Sequence, residues 1–346
     1  MKYPNGKIGL LSPFLPEKDG IAIYSDNLLN GLGKNKNEVV TIGRRGSKAD
    51  YSLDFKSFQL KNSLKKIIKK EKLDALHIQY VATFFSKLIN LNLIQALDQN
   101  IPVIITLHEV HYSIRNFKDK VLEIIERLII KKCKLVIVHT PKQKEFLEKK
   151  YKAKNILHIY HGLRLNPAHK RKDKNILCFG MISKGKGLKY LIKAMDYLPN
   201  CKLTIAGKFT EQKTEKEIKT QLKNSKSNIK TDFGWIDEDK KVDYYKNADI
   251  VVLPHIWAPY QSGILHNAVA WGLPIVVTKI GALHEMVDLF KFGEIVKPKN
   301  PKLLAEGISK VFKNYNYYKK GILAYKKVAN WPKITQKHLE VYKKCV

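Results

Sequence analysis

The segment Asp249–Glu285 reads DIVVLPHIWAPYQSGILHNAVAWGLPIVVTKIGALHE, and it constrains the fold more than any other part of the chain. DIVVLP is a short apolar run of β-branched residues ended by proline, which predicts a strand buried in a parallel sheet. The loop PYQSG supplies small, flexible residues where a helix should begin. Backbone N–H groups at a helix start, together with the positive end of the helix dipole, favour a phosphate group. A second apolar strand follows, so the segment predicts half of a nucleotide-binding α/β domain.

The same alternation of apolar strands and helices occurs twice along the chain. The predicted strands of the first run are KIGLLS (7–12), EVVTIG (38–43), LDALHIQY (73–80), IPVIITLHEVH (101–111), CKLVIVHTP (133–141) and NILHIYHG (155–162). After the polar segment 164–175 the alternation restarts with NILCFGMI (175–182), CKLTIAGKF (201–209) and NIKTDFGWI (228–236). Such alternation predicts parallel sheets with helices on both faces. We therefore expect two α/β domains, divided within 164–175.

The charge of the chain is strongly positive. Lysine and arginine number 64 against 31 acidic residues, which gives a formal net charge of +33, and almost all of the basic residues are lysine. Because arginine supplies the bidentate contacts of most base-specific readers, its scarcity argues against sequence-specific nucleic-acid binding. Two explanations of the excess remain open. One is a lysine-biased genome, and the other is attraction to anionic lipid headgroups or to an acidic substrate.

The sequence predicts a cytoplasmic protein. The first 20 residues lack a secretory cleavage pattern, and no apolar stretch approaches the length of a membrane span. The four cysteines are scattered, so we expect neither a metal site nor a disulfide framework. A basic amphipathic helix at 57–73 leaves a peripheral position on the inner face of the membrane open. The alternative for this helix is an ordinary sheet-covering role.

The order of these elements resembles retaining glycosyltransferases of the GT-B fold, specifically glycosyltransferase family 4, over almost the whole chain. The resemblance implies an α/β architecture of two Rossmann-like β/α/β domains facing each other across a cleft. Residues 1–165 would bind the acceptor, residues 166–328 the nucleotide sugar, and the helix at 329–346 would cross back to the N-terminal domain. It also implies metal-independent and cofactor-free transfer of a sugar, with retention, from a nucleotide-sugar donor to a hydroxyl acceptor.

In the N-terminal domain the resemblance singles out residues that follow predicted strands. Asp19 and Gly20 match the glycine loop that faces the donor diphosphate, with a plain helix cap as the alternative. His108 follows the buried run VIITL and matches the T-x-H position of the family, where the imidazole contacts the transferred sugar. We therefore expect His108 to be catalytic. The residues expected to bind the acceptor are Glu109, His111 and His161.

In the C-terminal domain the segment 179–187 reads FGMISKGKG and resembles the G-R-L-x-x-x-K-G pattern of the family. Lys186 takes the place of the lysine that neutralises the donor diphosphate, and we expect it to be catalytic through that charge. Met181 stands where most members have arginine. The Trp235 ring either stacks on the nucleobase or covers the core. The donor-binding residues expected in this part of the chain are Gly180, Ser183 and Trp235.

Most family members carry a Glu-x7-Glu pattern, but here Pro259 and Asn267 replace the two acids. The stretch QSGILHNAVAWGLP instead resembles a mannosyltransferase-like subgroup with a Q-S-G motif. Glu285 matches the glutamate of the G-G-x-x-E pattern and is expected to be catalytic. Its alternative role is a carboxylate at a helix N-terminus. The donor-binding residues expected here are Gln261, Ser262, Gly263 and Asn267.

The resemblance implies a sugar transferase and weakly favours GDP-mannose as the donor, with a UDP-sugar also open. The acceptor is open as well, with a lipid-linked hydroxyl or a growing glycan as candidates. Two alternative functions remain open. One is a glycoside phosphorylase or soluble-sugar synthase of the same fold. The other is a catalytically idle protein that uses its basic surface as a membrane or polyanion adaptor.

Overall fold

The computed structural model describes residues 6–17, 19–33, 38–85, 91–112, 117–166, 173–258 and 262–346, without the side chain of residue 118. These residues form two compact units. The N-terminal unit comprises Met1–Gly162 and Trp331–Val346, and the C-terminal unit comprises Leu163–Asn330. The two changes of unit lie within a few residues of the boundaries expected from the sequence at 165 and 328.

Each unit contains one parallel sheet in the part that is described. The strands of the N-terminal unit are β1 (Ile8–Leu11), β2 (Val39–Arg44), β3 (Tyr51–Leu53), β4 (Ala75–Tyr80), β5 (Val103–Leu107), β6 (Leu135–Val138) and β7 (Ile156–His158). Those of the C-terminal unit are β8 (Asn175–Phe179), β9 (Lys202–Gly207), β10 (Ile229–Phe233), β11 (Ile250–Leu253), β12 (Ile275–Thr278) and β13 (Gly293–Val296). The two parallel sheets predicted from the alternation are confirmed.

Helices connect these strands. In the N-terminal unit they are α1 (Gly20–Leu32), α2 (Leu60–Glu71), α3 (Ala82–Phe85), α4 (Leu91–Ala96), α5 (Phe117–Lys132) and α6 (Pro141–Tyr151). In the C-terminal unit they are α7 (Leu188–Ala194), α8 (Gln212–Lys223), α9 (Glu238–Asn247), α10 (Gly263–Ala270), α11 (Glu285–Phe290), α12 (Pro301–Lys313) and α13 (Tyr315–Ala329). The last helix, α14 (Trp331–Lys343), returns to the N-terminal unit.

The strand order of both sheets reverses direction next to the first strand of the unit. The N-terminal sheet runs β3-β2-β1-β4-β5-β6-β7, and the C-terminal sheet runs β10-β9-β8-β11-β12-β13. Ligands of such sheets bind outside the carboxyl ends of the strands, at the crevice where the order reverses. We therefore expect ligand sites at the carboxyl ends of β1 and β4 in the first sheet, and of β8 and β11 in the second.

Burial on both faces explains why these strands are continuous apolar runs. Every residue of β4 and of β5 is buried. Neighbouring residues along β5 contribute to two different apolar clusters, Ile105 to one and Ile104 to the other. A parallel sheet covered on both faces leaves no room for an alternating polar pattern.

The basic amphipathic helix is α2, and its apolar face is turned into the N-terminal unit. Leu60, Leu64 and Ile67 are buried in the core. The sheet-covering interpretation is therefore the one that the structure shows, with the lysines on the outer side. In the described ranges, every helix is too short or too polar to cross a lipid bilayer.

The final helix α14 belongs to the N-terminal unit through its apolar face. Its residues Ile334, Leu339 and Tyr342 are buried in a cluster with Tyr24 and Leu28 of α1. At the start of α14 the indole of Trp331 lies against the Tyr24 ring, with 5.1 Å between the ring centroids. The C-terminal residues of the chain thus complete the core that lies beneath the α1 side of the first sheet.

Gly162 provides a test of this packing. A Cβ atom on Gly162 would lie 2.4 Å from Cε2 of Trp331, so any side chain must displace the indole. We expect Gly162→Ala to lower the free energy of unfolding of the N-terminal unit by about 1–3 kcal/mol, as measured by urea denaturation. Gly20→Ala is the control, because no atom lies within 4 Å of its Cβ position. Equal stability of the two variants would contradict the packing.

Candidate active site

The carboxyl end of β8 lies against the start of α10 in the C-terminal unit. Gly180, directly after β8, has a φ of 109°, and a Cβ atom there would lie 3.3 Å from Cδ1 of Ile264. The close approach of Gly207 adds a second constraint, because its Cβ would lie 2.0 Å from the Gly180 carbonyl oxygen. Glycine is therefore required at both positions. The result is a backbone loop that passes close to the N-terminus of α10.

A short 3₁₀ turn, Lys184–Lys186, follows this loop and is held by the segment after β11. The Gly185 carbonyl accepts hydrogen bonds from the backbone N–H of Ile256 at 2.8 Å and of Trp257 at 3.2 Å. Gly187 closes the turn with a φ of 67°, and a Cβ on it would lie 2.0 Å from the Pro254 carbonyl oxygen. Lys186, which is expected to neutralise the donor diphosphate, thus lies on a turn that backbone hydrogen bonds hold in place. Ser183 caps this turn through its carbonyl, which accepts from the Lys186 N–H.

Lys186 is half-buried, and its charge shifts the pKa values of two neighbouring side chains. Burial lowers the pKa of His255 well below its usual range, and the Lys186 ammonium lowers it further. Burial also raises the pKa of the Cys178 thiol to about 12, and Lys186 opposes that rise. A lysine at the carboxyl ends of β8 and β11 is therefore in position to attract an anion.

His255 is a residue that the sequence analysis missed. It is 3 % exposed, and its Nδ1 has no hydrogen-bond partner among the described residues. Its backbone carbonyl accepts a hydrogen bond from Thr278 Oγ1 at 2.5 Å, which ties it to the end of β12. The available signal was its position directly after a buried strand and Pro254. A buried ring nitrogen that is left unpaired beside a lysine is costly unless a ligand group pairs with it.

The N-terminus of α10, described from Ser262 onward, is a candidate anion site. Ser262 is the N-cap, is buried, and makes no capping hydrogen bond with its side chain. The first intrahelical bond runs from Leu265 N–H to the Ser262 carbonyl at 3.0 Å, so earlier N–H groups point out of the helix. Gly263 has no atom within 4 Å of its Cβ position. Gln261, the first residue of the predicted Q-S-G motif, lies outside the described residues.

The remaining predicted residues of the C-terminal unit lie at neighbouring strand ends. Asn267 is one turn further along α10, beside the buried Tyr245 hydroxyl. Glu285 is the first residue of α11, after β12, and is 3 % exposed. Trp235 follows β10 and is 48 % exposed, so the core-covering alternative does not describe it. Gly180, Lys186 and the start of α10 follow β8 and β11. Glu285 follows the adjacent strand β12, whereas Trp235 follows β10, which is separated from β8 by β9.

In the N-terminal unit, Asp19 acts as a helix cap. Its side chain accepts a 2.7 Å hydrogen bond from Ile21 N–H at the start of α1. Gly20 is the exposed first residue of the helix. The structure shows the cap, and the donor-binding role of Asp19 and Gly20 stays a prediction. Because the carboxylate already occupies the positive end of α1, a diphosphate at the same place would meet a like charge.

His108 lies where the sequence analysis expected it, directly after β5, but both of its ring nitrogens contact other side chains. Nε2 is 2.8 Å from Gln79 Oε1, and Nδ1 is 3.2 Å from His139 Nε2. The residue is 6 % exposed. Burial lowers the pKa of His108 well below its usual range, and His139 lowers it further. In this conformation both ring nitrogens of His108 are used in contacts within the protein.

The sequence analysis missed Gln79 and His139 as functional candidates. Gln79 lies inside β4, and His139 follows β6. Both are buried, and both reach His108 from other strands, about 30 residues away in the chain. Such pairings depend on the lateral order of strands, which motif reading does not provide. A histidine directly after an apolar strand was the one available signal for His139.

The three residues expected to bind the acceptor lie near His108 in the chain or in space. Glu109 and His111 are half-buried in the loop after β5. His161 packs edge-on to the Tyr24 ring at 5.1 Å and to the His139 ring at 5.6 Å. Its Nδ1 donates to the Gly162 carbonyl at 3.1 Å. Burial lowers the pKa of His161 to about 3, so it is neutral at physiological pH.

With this geometry in view, the two units match two family models. Residues 18–166 match the model described as Glycosyltransferase Family 4, and residues 163–327 match Glycosyl transferases group 1. Together the two matches span nearly the whole chain. The chain belongs to the family 4 (group 1) glycosyltransferases.

Curated relatives match over part of the chain. An uncharacterized glycosyltransferase of Methanocaldococcus jannaschii is 33% identical over 181 residues, which are 49% of this chain and 45% of the relative. A mannosylfructose-phosphate synthase of Agrobacterium fabrum is 27% identical over 229 residues, which are 59% of this chain and 50% of that protein. The chain spans about half the length of these relatives or less.

Solved structures match over nearly the full length. A glycosyltransferase from Rickettsia africae has a TM-score of 0.74 at 20% identity and covers 99% of both chains. Anabaena HepE, solved in complex with UDP-glucose, has a TM-score of 0.77 at 16% identity and covers 98% of this chain and 100% of its own. At these identities the match shows the fold. The GT-B fold expected from the sequence is confirmed.

Glu126 of α5 lies beneath the loop that carries His111, and it gives a pH-dependent prediction. Burial raises the pKa of its carboxyl to about 7, although Tyr151 Oη donates a 2.9 Å hydrogen bond to Oε1. The folded protein therefore keeps a proton that the unfolded chain releases between its ordinary pKa and pH 7. Stability contributed by this group is lost as the pH rises through that window.

We expect Glu126→Gln to be more stable than the native protein at pH 8 by about 2–3 kcal/mol, and by less than about 1 kcal/mol at pH 5. Urea denaturation at the two pH values measures the difference. Glu145→Gln, at an exposed position of α6, serves as the control and should show no such pH dependence. A Glu126→Gln effect of the same size at both pH values would contradict the buried, protonated carboxyl.

Proposed function

We propose that this protein is a retaining glycosyltransferase that moves a sugar from a nucleotide-sugar donor to a hydroxyl acceptor. The observation that carries the proposal is the placement of Lys186, the Gly180 loop and the N-terminus of α10. All three lie at the carboxyl ends of β8 and β11, where the sheet order reverses. That combination suits a diphosphate, because a cation and the aligned N–H groups of a helix start both attract anions.

In the proposed reaction the bond between the anomeric carbon and the donor diphosphate breaks, and charge builds on the departing phosphate. Lys186 stabilises that charge as a point cation. Backbone N–H groups of Ser262 and Gly263 add fixed dipoles that need no reorganisation. His255 would supply a ring N–H to the same phosphate, which would pair the nitrogen that is otherwise unpaired.

The other donor contacts follow from their strand ends. Trp235 would provide a face on which the nucleobase stacks, since nearly half of it is exposed. Asn267 would hold a ribose hydroxyl, and Glu285 would accept hydrogen bonds from hydroxyls of the transferred sugar. Gln261 and Ser183 complete the set of proposed donor-binding residues.

The acceptor is proposed to meet the N-terminal unit at the carboxyl end of β5. Glu109 and His111 offer a carboxylate and an imidazole to acceptor hydroxyls, and His161 lies beside them as a neutral ring. His108 supplies the edge of its ring as a wall for the transferred sugar, held in place by Gln79 and His139. Asp19 is left out of the diphosphate site because its carboxylate caps α1.

Mannose is the proposed sugar, with GDP-mannose as its donor. Its support is the Q-S-G subgroup motif and two matched relatives whose names include a mannosyl transfer product or activity, one of them a lipopolysaccharide core biosynthesis mannosyltransferase of Rhizobium meliloti. UDP-sugars remain alternative donors, because Anabaena HepE was solved in complex with UDP-glucose. The acceptor class proposed first is a lipid-linked or growing glycan.

The basic surface is proposed to hold the enzyme near an anionic membrane. The exposed side of α2 carries Lys65, Lys66, Lys69 and Lys70. Because the apolar face of α2 is buried, the attraction would be electrostatic and would weaken with salt. A soluble acceptor is the second candidate, favoured by the similarity to a mannosylfructose-phosphate synthase, since a sugar phosphate would also be drawn to a +33 chain.

A thermal-shift screen tests the proposed donor site. GDP-mannose, UDP-glucose, UDP-GlcNAc, GDP and UDP are each added at saturating concentration. A donor present at 100 times its Kd stabilises the folded protein by about 2.7 kcal/mol, which should raise Tm by roughly 5 °C or more. We expect one nucleotide sugar to produce this shift, and Lys186→Ala to abolish it.

Lys184→Ala is the matched control, because Lys184 lies on the same 3₁₀ turn but is exposed. It should keep the shift of the native protein. Equal losses in the two lysine variants would show that general charge, rather than the Lys186 position, attracts the ligand. A folded protein that shows no shift with any nucleotide would overturn the donor site and leave the adaptor alternative.

A further inference from the structure

A line of buried polar side chains crosses the N-terminal unit from α14 to the carboxyl end of β6. Its contacts run from Tyr342 Oη to His77 Nδ1 at 2.8 Å, and from His77 Nε2 to Gln79 at 3.3 Å. They continue from Gln79 to His108 Nε2 at 2.8 Å, from His108 Nδ1 to His139 Nε2 at 3.2 Å, and from His139 Nδ1 to the Ile159 carbonyl at 3.0 Å. The proposed function uses His108 and its contacts with Gln79 and His139, and it assigns no role to His77 or Tyr342.

The Ile159 carbonyl fixes the protons at one end. A carbonyl oxygen only accepts, so His139 must carry its proton on Nδ1. Burial lowers the pKa of His139 to about 4, so the ring is neutral and its Nε2 is an acceptor. His108 must therefore donate from Nδ1. Because burial also keeps His108 neutral, its Nε2 has only a lone pair to offer to Gln79.

A lone pair on His108 Nε2 requires a donor opposite it. The Gln79 oxygen cannot be that donor, but a half-turn of the amide exchanges its oxygen and nitrogen without moving any other atom. The amide NH₂ then donates to His108, and the amide oxygen faces His77 Nε2. His77 carries its proton on Nε2, shared with Thr106 Oγ1 at 2.8 Å, and its Nδ1 accepts from the Tyr342 hydroxyl. Every contact in the line is then a donor facing an acceptor.

We propose that this line is a directional hydrogen-bond chain in which Gln79, His139 and Tyr342 are positioning residues that fix the ring orientation and the Nδ1–H tautomer of His108. The inference rests on the proposed function, since it names the support of the residue that forms the wall of the sugar site. It makes α14 part of that support, because the last donor of the chain is a side chain of that helix.

The neighbouring hydrogen bonds favour this one donor-to-acceptor direction along the hydrogen-bond chain. His338 Nδ1 donates to the Ile334 carbonyl at 2.9 Å, so its Nε2 accepts from Tyr24 Oη at 3.5 Å. The Tyr24 hydroxyl is thus used on its own side and does not compete for His108. Gln79, His77 and Tyr342 are fully buried, so water is not at hand to supply the missing donor. An inverted chain would leave two acceptors face to face between His108 and His139.

The first test is ¹⁵N NMR of the histidine rings in the ligand-free full chain, with each signal assigned by single His→Gln variants. Protonated and unprotonated ring nitrogens resonate in separate regions of the spectrum. We expect His139 and His108 to be protonated on Nδ1 alone and His77 on Nε2 alone. A proton on Nε2 of His108 would overturn the chain. Since this measurement needs no substrate, its outcome is independent of whether the proposed sugar transfer occurs.

The second test is Gln79→Glu, which keeps the shape and removes the NH₂ donor. We expect His108 to gain a proton at Nε2 and kcat to fall roughly tenfold or more, with the KM for the donor changed by less than about threefold. Gln143→Glu is the matched control. Gln143 is also fully buried, but its oxygen accepts from the N–H groups of His139 at 3.0 Å and Thr140 at 3.1 Å. An acid preserves those contacts, so kcat should be retained. Equal effects of the two variants would overturn the donor role of Gln79.

The third test is Tyr342→Phe, which removes the hydroxyl that donates to His77. We expect the His77 signals to change and kcat to fall roughly three- to tenfold. Tyr325→Phe is the matched control in the C-terminal unit, where another buried hydroxyl lies 3.3 Å from His266 Nδ1. If Tyr342→Phe leaves the His77 and His108 signals as in the native protein, or lowers kcat no more than the control, α14 has no part in the chain. If the native protein shows the expected tautomers but has no transferase activity, the proposed function is wrong. The hydrogen-bond chain is still supported in that case.

Discussion

Burial of both sheet faces is the constraint on which the rest of this structure depends. Parallel strands covered on both sides must be apolar along their length, so polar side chains are driven to the carboxyl ends, where the crevices lie. Gly180, the Lys184–Lys186 turn and the α10 start gather at one such edge. The same edge of the first sheet carries His108 and its loop. The positions of the candidate residues are therefore a consequence of how the sheets exclude polar groups.

Some polar side chains lie inside the strands, and their burial is costly in free energy. His77 and Gln79 lie inside β4, and Thr106 lies inside β5, all fully buried. A buried polar group that lacks a partner costs about 1–3 kcal/mol, so each such side chain needs the next one as its partner. The resulting chain of hydrogen bonds needs a group that only accepts at one end and a group that donates at the other. The Ile159 carbonyl and Tyr342 meet those needs at its two ends.

The sequence was sufficient for the sheets and for the glycine turns, because apolar runs and left-handed glycines are local signals. It could not predict that Gln79 and His139 reach His108, because those contacts join strands about 30 residues apart. Nor could it decide between a phosphate loop and a helix cap at Asp19, since both begin with the same residues. The structure adds the orientation of one carboxylate, which accepts a hydrogen bond from Ile21 N–H.

The two candidate sites depend on side chains to different degrees. In the proposed donor site most of the anion-directed groups are backbone N–H groups at the start of α10, and Lys186 is the one cation that the family pattern supplies. Backbone donors survive sequence change, so replacing the two acids of the Glu-x7-Glu pattern by Pro259 and Asn267 leaves this part of the chemistry intact. The wall around His108 is different, because the groups that contact its ring nitrogens are the side chains of Gln79 and His139. A change at Gln79 would therefore alter the histidine that is proposed to contact the sugar, even though Gln79 is fully buried in the sheet.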